Sequence, residues 1–305
     1  MARLCQLHGT AISILQSEHL IGRGSQCNLL LSRAYVSTQH ALIRWSGTAW
    51  ELVDRGSRNG TLVDGVQVEA GKPYALELGS VVAFGHREEC WQLVDIGPPQ
   101  VAIVCLDTNV ELLDTVGVIG VPSDDDPICS VYRDTDGLWK LEYPDTPPAM
   151  IEDGYTWEVA GQRWRFSCPK LVGPTATSET QLAGRSGRLH FVVSRDEEFV
   201  ELTIEYARRS LSLGSRSHNY LLLVLARARS EDRAAGLSES SCGWRYKEDL
   251  ADALRMTPQQ VDGEVHRIRK HFGQHGLEES STIIERRPRT KQLRLGVSDF
   301  NVSRA

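Results

Sequence analysis

The sequence reads IGRGSQCNLLLSRAYVSTQHALIRWSGTAWELVDRGSRNGT over residues 21–61, and this stretch decides the fold of the N-terminal region. Four short motifs follow one another in it: Gly22-Arg23, Ser37-Thr38-Gln39-His40, Asp54-Arg55-Gly56-Ser57 and Asn59-Gly60-Thr61. Each motif alone is weak, because Asn-Gly, for example, is an ordinary turn. Their order and spacing carry the information.

Short candidate strands fill residues 1–97, and turn signals such as Ser46-Gly47 and Asp64-Gly65 separate them. Many short strands joined by regular turns predict a β-sandwich or barrel. We expect no helix of useful length in this region.

At the four motifs the sequence resembles the forkhead-associated (FHA) domain, a β-sandwich that binds phosphothreonine peptides, over about residues 4–94. The resemblance implies that Arg23 and Ser37 contact the phosphate. It implies that Asn59 hydrogen-bonds the peptide backbone beside the phosphothreonine. Thr38 stands where many family members have Arg or Lys, so it either weakens phosphate binding or shifts which group helps. Arg58 is a candidate for reading an acidic or polar residue downstream of the phosphate.

Three further residues of the stretch are expected to support this site. Gly22 meets a backbone requirement, either an unusual φ or a close approach. His40 braces the loop that carries Ser37, and Gly60 follows Asn59 in its turn. A Ser-His pair could suggest a hydrolase, but no Gly-x-Ser-x-Gly elbow or third triad partner is placed. An FHA fold that has lost peptide binding is the alternative, and the presence of Arg23, Ser37 and Asn59 together argues against it.

The amino-acid composition limits the classes of protein to which this chain can belong. The chain has 305 residues, of which 41% are hydrophobic and 24% charged, which is typical of globular proteins with about two domains. The seven cysteines form no close pair, which favours a reducing compartment over a disulfide frame or metal site. The longest apolar run is too short to cross a bilayer. We therefore expect a cytoplasmic protein without a membrane partner.

The net charge of −6 conceals an asymmetry along the chain. Residues 1–200 carry a net charge of −10 and residues 201–305 a net charge of +4. This division suggests different partners for the two parts. The basic balance of the second part does not by itself indicate nucleic-acid binding.

Residues 98–172 again read as short strands, and we expect a small β domain there. Its tryptophan-containing segments 137–142 and 161–166 echo segments 47–52 and 85–93, so either a shortened, degenerate FHA-like sandwich or an unrelated β domain fits. The acidic run Asp124-Asp125-Asp126 is read as a solvated turn and not as a cation site. Residues 173–187 are rich in Ser, Thr and Gly, which predicts a linker.

Residues 188–305 change pattern to strands, three helices and a hairpin. Ser215 or Ser217 can cap a first helix that runs to about Arg229, a second helix covers 247–254, and Thr257-Pro258 starts a third that ends near Phe272. Strands at 282–285 and 292–295 follow. This order resembles the winged-helix effector domain of response-regulator transcription factors. The overall fold class is therefore multidomain α+β, with an N-terminal FHA sandwich, a middle β domain and a C-terminal winged helix.

In a helix-turn-helix protein the third helix enters the major groove. The candidate DNA-binding residues lie on that helix and on the wing: His266, Arg267, Lys270, Arg286, Arg287, Arg289 and Lys291. These charges could instead solvate the helix, or the domain could dock a protein.

No nucleotide loop, metal cluster or nucleophile constellation is visible in the sequence, which predicts a protein that is not an enzyme and needs no cofactor or metal. We expect a phosphothreonine-binding signalling protein with a winged-helix output, a transcriptional regulator downstream of a Ser/Thr kinase. Its partners would be a phosphothreonine-containing protein (the kinase or its substrate) and double-stranded DNA. The alternative is a phospho-dependent adaptor whose winged helix binds protein.

Overall fold

The computed structural model describes residues 1–169, 187–206 and 209–305. They fall into two compact units. The first comprises residues 1–111, 153–157 and 162–169, and the second comprises residues 112–152, 158–161 and the described residues from 187 onward. Except for Gly187, the predicted linker 173–187 lies outside the described residues.

Two sheets form the body of the first unit. Their neighbouring strands are antiparallel except for Glu18–Gly22 and Leu29–Leu30, which are parallel. The six-stranded sheet has the order Ile12–Ile14, Arg3–Gln6, Cys90–Asp95, Val81–Phe84, Thr61–Val63 and Val66–Gln67. The five-stranded sheet has the order Leu29–Leu30, Glu18–Gly22, Ala41–Trp45, Trp50–Asp54 and Pro73–Leu76. Alternate residues of these strands are buried, as in Trp50–Asp54, because successive side chains of a strand point to opposite faces. Trp50, Leu52, Phe84 and Leu93 belong to the shared core.

The remaining strands of residues 98–169 are divided between the two units. Ala102–Cys105 pairs with Gln162–Ser167 in the first unit. Val118–Val121, Cys129–Arg133, Trp139–Glu142 and Ala149–Met150 form a four-stranded antiparallel sheet in the second. Two further strands, Glu111–Leu113 and Thr156–Val159, contain points where the chain passes between units. The expected separate middle domain and its likeness to an FHA fold stay predictions.

A second sheet of the second unit is built from segments distant in sequence. Its order is Arg209–Ser215, Val200–Tyr206, Arg188–Val193 and Phe300–Arg304. The last two strands are parallel, with Leu189 opposite Phe300. The strand Phe300–Arg304 was not predicted from the sequence, because its partner strand is remote and it contains only two apolar residues, Phe300 and Val302.

Three helices pack with this sheet around one core: Asn219–Ala234, Lys247–Leu254 and Pro258–Gln274. The hairpin strands Ile284–Arg287 and Gln292–Leu295 form a three-stranded sheet with Arg245–Tyr246. Short 3₁₀ helices cover Glu278–Ser281 and Pro288–Thr290. Among the described residues, none of the helices is both long and apolar enough to pass through a membrane.

The N-terminal cap predicted for the third helix is present, whereas the caps predicted for the first helix are not. Thr257 accepts a hydrogen bond from the backbone of Gln260, and the Gln260 side chain bonds back to the Thr257 backbone, so the predicted cap is a complete capping box. The predicted serine caps of the first helix are wrong. That helix begins at Asn219 after His218, and no side chain caps it. The Asn219 side chain instead donates to the carbonyls of Val200 and Gly214, which fixes this helix end to the sheet.

A buried histidine in the first unit makes its stability dependent on pH. His19 is 1% exposed, accepts a hydrogen bond from the Gln16 backbone at Nδ1, and is bonded through Nε2 to the Ser13 hydroxyl. Burial, with a smaller contribution from the charge of Arg165, lowers the pKa of His19 to about 3. The unfolded chain therefore gains a proton near pH 6.5 that the folded chain does not accept.

We predict that the first unit loses about 1.4 kcal/mol of unfolding free energy per pH unit below pH 6.5 because of His19. The variant His19→Gln should be less stable than the wild type at neutral pH. The difference in unfolding free energy between the two proteins should decrease by about 2 kcal/mol on acidification to pH ~5. Urea titrations read by pulsed labelling and mass spectrometry of peptides from 1–97 measure this. Parallel pH profiles of the two proteins would contradict it.

Candidate functional site

Two loops of the first unit are held together by their backbones. The Arg23 N–H donates to the Ser37 carbonyl and the Gly24 N–H donates to the Thr38 carbonyl, each over 2.9 Å. A Cβ on Gly22 would lie 2.5 Å from the Thr38 oxygen and 2.9 Å from the Ser37 oxygen, so only glycine permits this approach. The requirement at Gly22 is thus close packing and not an unusual φ.

His40 joins this pair of loops to a third. Its Nδ1 accepts from the Ser37 N–H at 3.0 Å, so the neutral ring carries its proton on Nε2, which donates to the Gly60 carbonyl at 3.1 Å. Burial lowers the pKa of His40, although the bond to Gly60 acts in the opposite direction. The ring is fully buried and packs edge-on against Phe84. This geometry suits the bracing role expected of His40.

The third loop, residues 55–60, is organised by a buried carboxylate. Asp54 accepts four hydrogen bonds: from the Gly56 and Ser57 backbones at 2.8 Å each, and from the Ser57 and Thr61 hydroxyls at 2.6 Å each. Burial opposes ionisation of Asp54, but these bonds outweigh it and hold its pKa below the ordinary value. Gly60 ends the loop with φ +76°, in the left-handed region.

The predicted phosphate-contacting groups meet where these loops converge. The exposed Arg23 donates from Nε to the Val36 carbonyl at 3.2 Å, and its two terminal nitrogens have no hydrogen bond to any described residue. The Ser37 hydroxyl oxygen accepts from the Arg58 N–H at 3.1 Å, which leaves the hydroxyl proton available to a ligand. Asn59 is exposed, and its Nδ2 donates to the Tyr35 carbonyl at 2.8 Å.

The remaining predicted residues lie on the same loops. Thr38 is exposed, and its carbonyl already accepts from Gly24 and from the Cys27 thiol. Arg58 presents an exposed side chain beside Asn59. Arg33, a further cation four residues before Ser37, lies 3.8 Å from the Glu89 carboxylate, and its side chain is 68% exposed.

No role was predicted for Asp54 or Tyr35 from the sequence. Asp54 organises the loop that carries Arg58 and Asn59, and Tyr35 supplies the carbonyl that orients Asn59. An aspartate followed at two and three positions by Gly and Ser is a signal for an Asx turn and could have revealed Asp54. No local pattern indicates Tyr35, because its partner is 24 residues away.

The candidate DNA-binding residues differ in their exposure to solvent. Arg287, Arg289 and Lys291 on the hairpin are exposed, and the Arg287 guanidinium stacks over Trp244 at 3.9 Å. His266 is only 2% exposed, and the side chain of Arg286 only 8%. Asp124 pairs with His266, and Asp262 and Glu142 pair with Arg286, so neither residue presents free charge in this conformation. Their DNA-binding role stays a prediction. Arg267 is exposed and Lys270 half-buried.

Residues 19–85 match the family model of the FHA domain. The N-terminal region of this chain therefore contains an FHA domain, and its two sheets are the β-sandwich of that family. The match includes every loop residue described above that was expected to contact or support a phosphopeptide.

Curated proteins and solved structures are similar to this chain over part of its length. FhaB of Mycobacterium tuberculosis (strain CDC 1551 / Oshkosh), an FHA domain-containing protein, is 39% identical over 79 residues, which are 26% of this chain and 50% of that protein. Protein phosphatase 2C 70 of Arabidopsis thaliana is 37% identical over 75 residues, 21% of this chain and 13% of that protein. The chain thus spans about half the length of the first relative and less of the second. The FHA domain of CT664 from Chlamydia trachomatis is 28% identical with a TM-score of 0.28, covering 32% of this chain and 98% of that one.

We predict that Asp54→Ala destabilises the first unit by about 2–4 kcal/mol, because the donors of Gly56, Ser57 and the buried Thr61 lose their acceptor. Hydrogen exchange of residues 55–61 should accelerate in the native state. Asp54→Asn keeps the shape but loses the charge, so its effect should be smaller. Since the pKa of Asp54 is depressed, its contribution is present above pH ~4 and lost as the pH falls further. Unchanged exchange in the alanine variant would contradict the organising role.

Proposed function

We propose that this protein binds phosphothreonine peptides through its FHA domain and acts in signalling without catalysing a reaction. The observation that carries the proposal is the convergence of Arg23, Ser37 and Asn59 on three loops that His40 and Asp54 hold in place. The Arg23 terminal nitrogens and the Ser37 hydroxyl proton are unoccupied by described protein groups. The match to the FHA family supports the same reading.

The chemistry of the proposed complex follows from these donors. A phosphate dianion is held best by charge-assisted hydrogen bonds, and a guanidinium can donate two in parallel. Arg23 would supply those, and the Ser37 hydroxyl would donate a third. Asn59 would bond the peptide backbone through the amide atoms that its bond to Tyr35 leaves available. The loops are already tied by backbone bonds, so little ordering would accompany binding.

Thr38 and Arg58 would adjust the specificity. Thr38 is exposed beside Ser37 but brings no charge, so Arg23 would carry most of the electrostatic attraction to the phosphate. Arg58 projects from the loop beside Asn59, where it would attract an acidic residue downstream of the phosphothreonine.

We predict that Arg23→Ala weakens binding to a phosphothreonine peptide by about 2–5 kcal/mol, because a charge-assisted contact is lost. Arg23→Lys should fall in between, since lysine keeps the charge but not the paired donors. Isothermal titration against a phosphothreonine peptide library, with unphosphorylated peptides alongside, measures this. Arg44→Ala is the matched control, because Arg44 is paired with Glu51 on a strand of the same unit. Equal binding by wild type and Arg23→Ala would contradict the assignment of Arg23 as a phosphate contact.

We further propose that the C-terminal part is a winged helix whose output is transcriptional regulation downstream of a cytoplasmic Ser/Thr kinase. Three helices followed by a hairpin occur in the order of that fold. The hairpin turn presents Arg287, Arg289 and Lys291 to solvent, which suits contacts with DNA phosphates. The phosphothreonine-containing partner would be the kinase or its substrate.

An adaptor that binds protein through this region is the second candidate. The observation that favours it is the burial of His266 and the pairing of Lys270 with Asp124. With those side chains engaged, Arg267 is the one helix candidate of the three that is exposed in this conformation.

We predict that the double variant Arg289→Gln, Lys291→Gln lowers DNA affinity uniformly across sequences. The slope of log K against log salt should become shallower by about 2, one counterion contact for each removed charge. Electrophoretic shift assays on genomic fragments over a salt series measure this. The matched control is Arg188→Gln, an exposed cation of the same unit that pairs with Asp299. Absence of DNA binding by the wild type at low salt would favour the adaptor.

A further inference from the structure

The third helix, Pro258–Gln274, is buried on two faces. One face is an apolar stripe of Val261, Val265, Ile268 and Phe272, each no more than 1% exposed. The second face is polar, with Asp262 9%, His266 2% and Arg269 3% exposed. A helix at a protein surface normally keeps its polar face in water. Burial of this face therefore means that another element covers it.

The covering element is residues 116–145 of the same unit, which we call the acidic cover. Asp124 of the cover accepts from His266 Nε2 at 2.9 Å and also pairs with the Lys270 ammonium. The other ring nitrogen of His266 is bonded to the Ser130 hydroxyl at 2.9 Å. The backbone carbonyl of Asp125 accepts from Arg267 at 3.1 Å. All three helix residues predicted to contact DNA are thus engaged by the acidic cover.

A second group of charges continues the contact. Glu142 of the cover, 6% exposed, pairs with Arg269 on the helix and lies 3.6 Å from Arg286 on the hairpin. Asp145 accepts from the Lys247 ammonium at 2.8 Å. Arg269 also stacks over the Tyr132 ring of the cover at 4.6 Å. Asp262 of the helix itself also pairs with Lys247 at 3.0 Å and with Arg286 at 2.7 Å. Among the described residues, Arg269 is therefore the cation of this group whose carboxylate partner comes from the cover alone.

Two glycines permit the close packing. A Cβ on Gly273 of the helix would lie 2.5 Å from the carbonyl oxygen of Val116. A Cβ on Gly120 of the cover would lie 3.0 Å from the His266 ring. In contrast, a Cβ on Gly263 of the same helix would meet nothing closer than the Arg267 guanidinium at 3.8 Å. This difference supplies a matched pair of substitutions.

We infer that the acidic cover is an intramolecular inhibitor that occupies the DNA-facing side of the third helix and must move away before the helix enters a major groove. The inference rests on the proposed DNA-binding function. It assigns to residues 116–145 a regulatory role that a purely structural β sheet would not have.

The ion pairs between the helix and the acidic cover are contacts that a competing anion can displace. Its ion pairs contribute little net stability, because burying charges costs nearly as much as pairing them returns. DNA phosphates would offer the same cations equivalent partners, so duplex DNA competes directly with Asp124 and Glu142. The apolar stripe on the adjacent face remains in its own core during this exchange.

Two variants should open the cover by independent means. Gly273→Ala inserts a methyl group against Val116 while favouring the helix itself, since alanine is the better helix former. Asp124→Asn removes the charge that holds His266 and Lys270. The controls are Gly263→Ala, an alanine on the same helix without a clash, and Asp126→Asn, an exposed carboxylate of the same acidic run.

Two readouts are taken on the full chain. Carbethoxylation of His266 by diethylpyrocarbonate, followed by mass spectrometry, reports opening, with buried His19 as the internal reference. Electrophoretic shifts with a random-sequence duplex pool report DNA affinity. We expect Gly273→Ala and Asp124→Asn to label His266 at least about tenfold faster than wild type and to bind DNA at least about tenfold more tightly, which corresponds to about 1.4 kcal/mol. The two controls should match the wild type.

Other outcomes overturn the inference in distinguishable ways. Unchanged labelling of His266 in both variants would show that the cover is a permanent part of the fold. Faster labelling with DNA affinity equal to the wild type would show that the cover does not inhibit, and would leave DNA binding intact. Faster labelling with no DNA binding by any protein would remove the proposed DNA function and the inference with it.

Discussion

The FHA site depends on one neutral imidazole. His40 accepts a backbone hydrogen bond from the loop of Ser37 and donates one to the loop that ends at Gly60. A charged ring would have no lone pair for Ser37, so burial that keeps the ring neutral also keeps the two loops in register. Gly22 completes the arrangement by allowing the Arg23 loop to lie directly against residues 37 and 38. The position of every proposed phosphate donor follows from these contacts.

Local and spacing signals predicted part of the structure well. Thr257-Pro258 marked a helix start because a cap and a first-turn proline act within one turn. The FHA motifs were readable because loop geometry demands particular residues at fixed positions. Gly22 is the clearest of these, since any side chain would collide with the neighbouring loop.

The features that escaped prediction depend on distant partners. Asp124 looked like part of a solvated acidic turn, yet it pairs with residues more than 140 positions away. His266 looked like a surface residue for the same reason, because nothing near it in sequence indicates the cover. Asp54 differs, since its partners are local and an Asx-turn reading would have identified it. Polar burial is therefore the property that sequence patterns conveyed least well.

The parallel pairing of Phe300–Arg304 with Arg188–Val193 has a consequence for biosynthesis. The two strands are separated by about 110 residues, and all three helices lie between them, so this pairing is a contact of high sequence separation. During translation the first unit's sandwich can close early, whereas this sheet acquires its last strand only after the helices have left the ribosome. Until then Arg188–Val193 has an unpaired edge, which is a surface that chaperones recognise or that neighbouring chains can pair with.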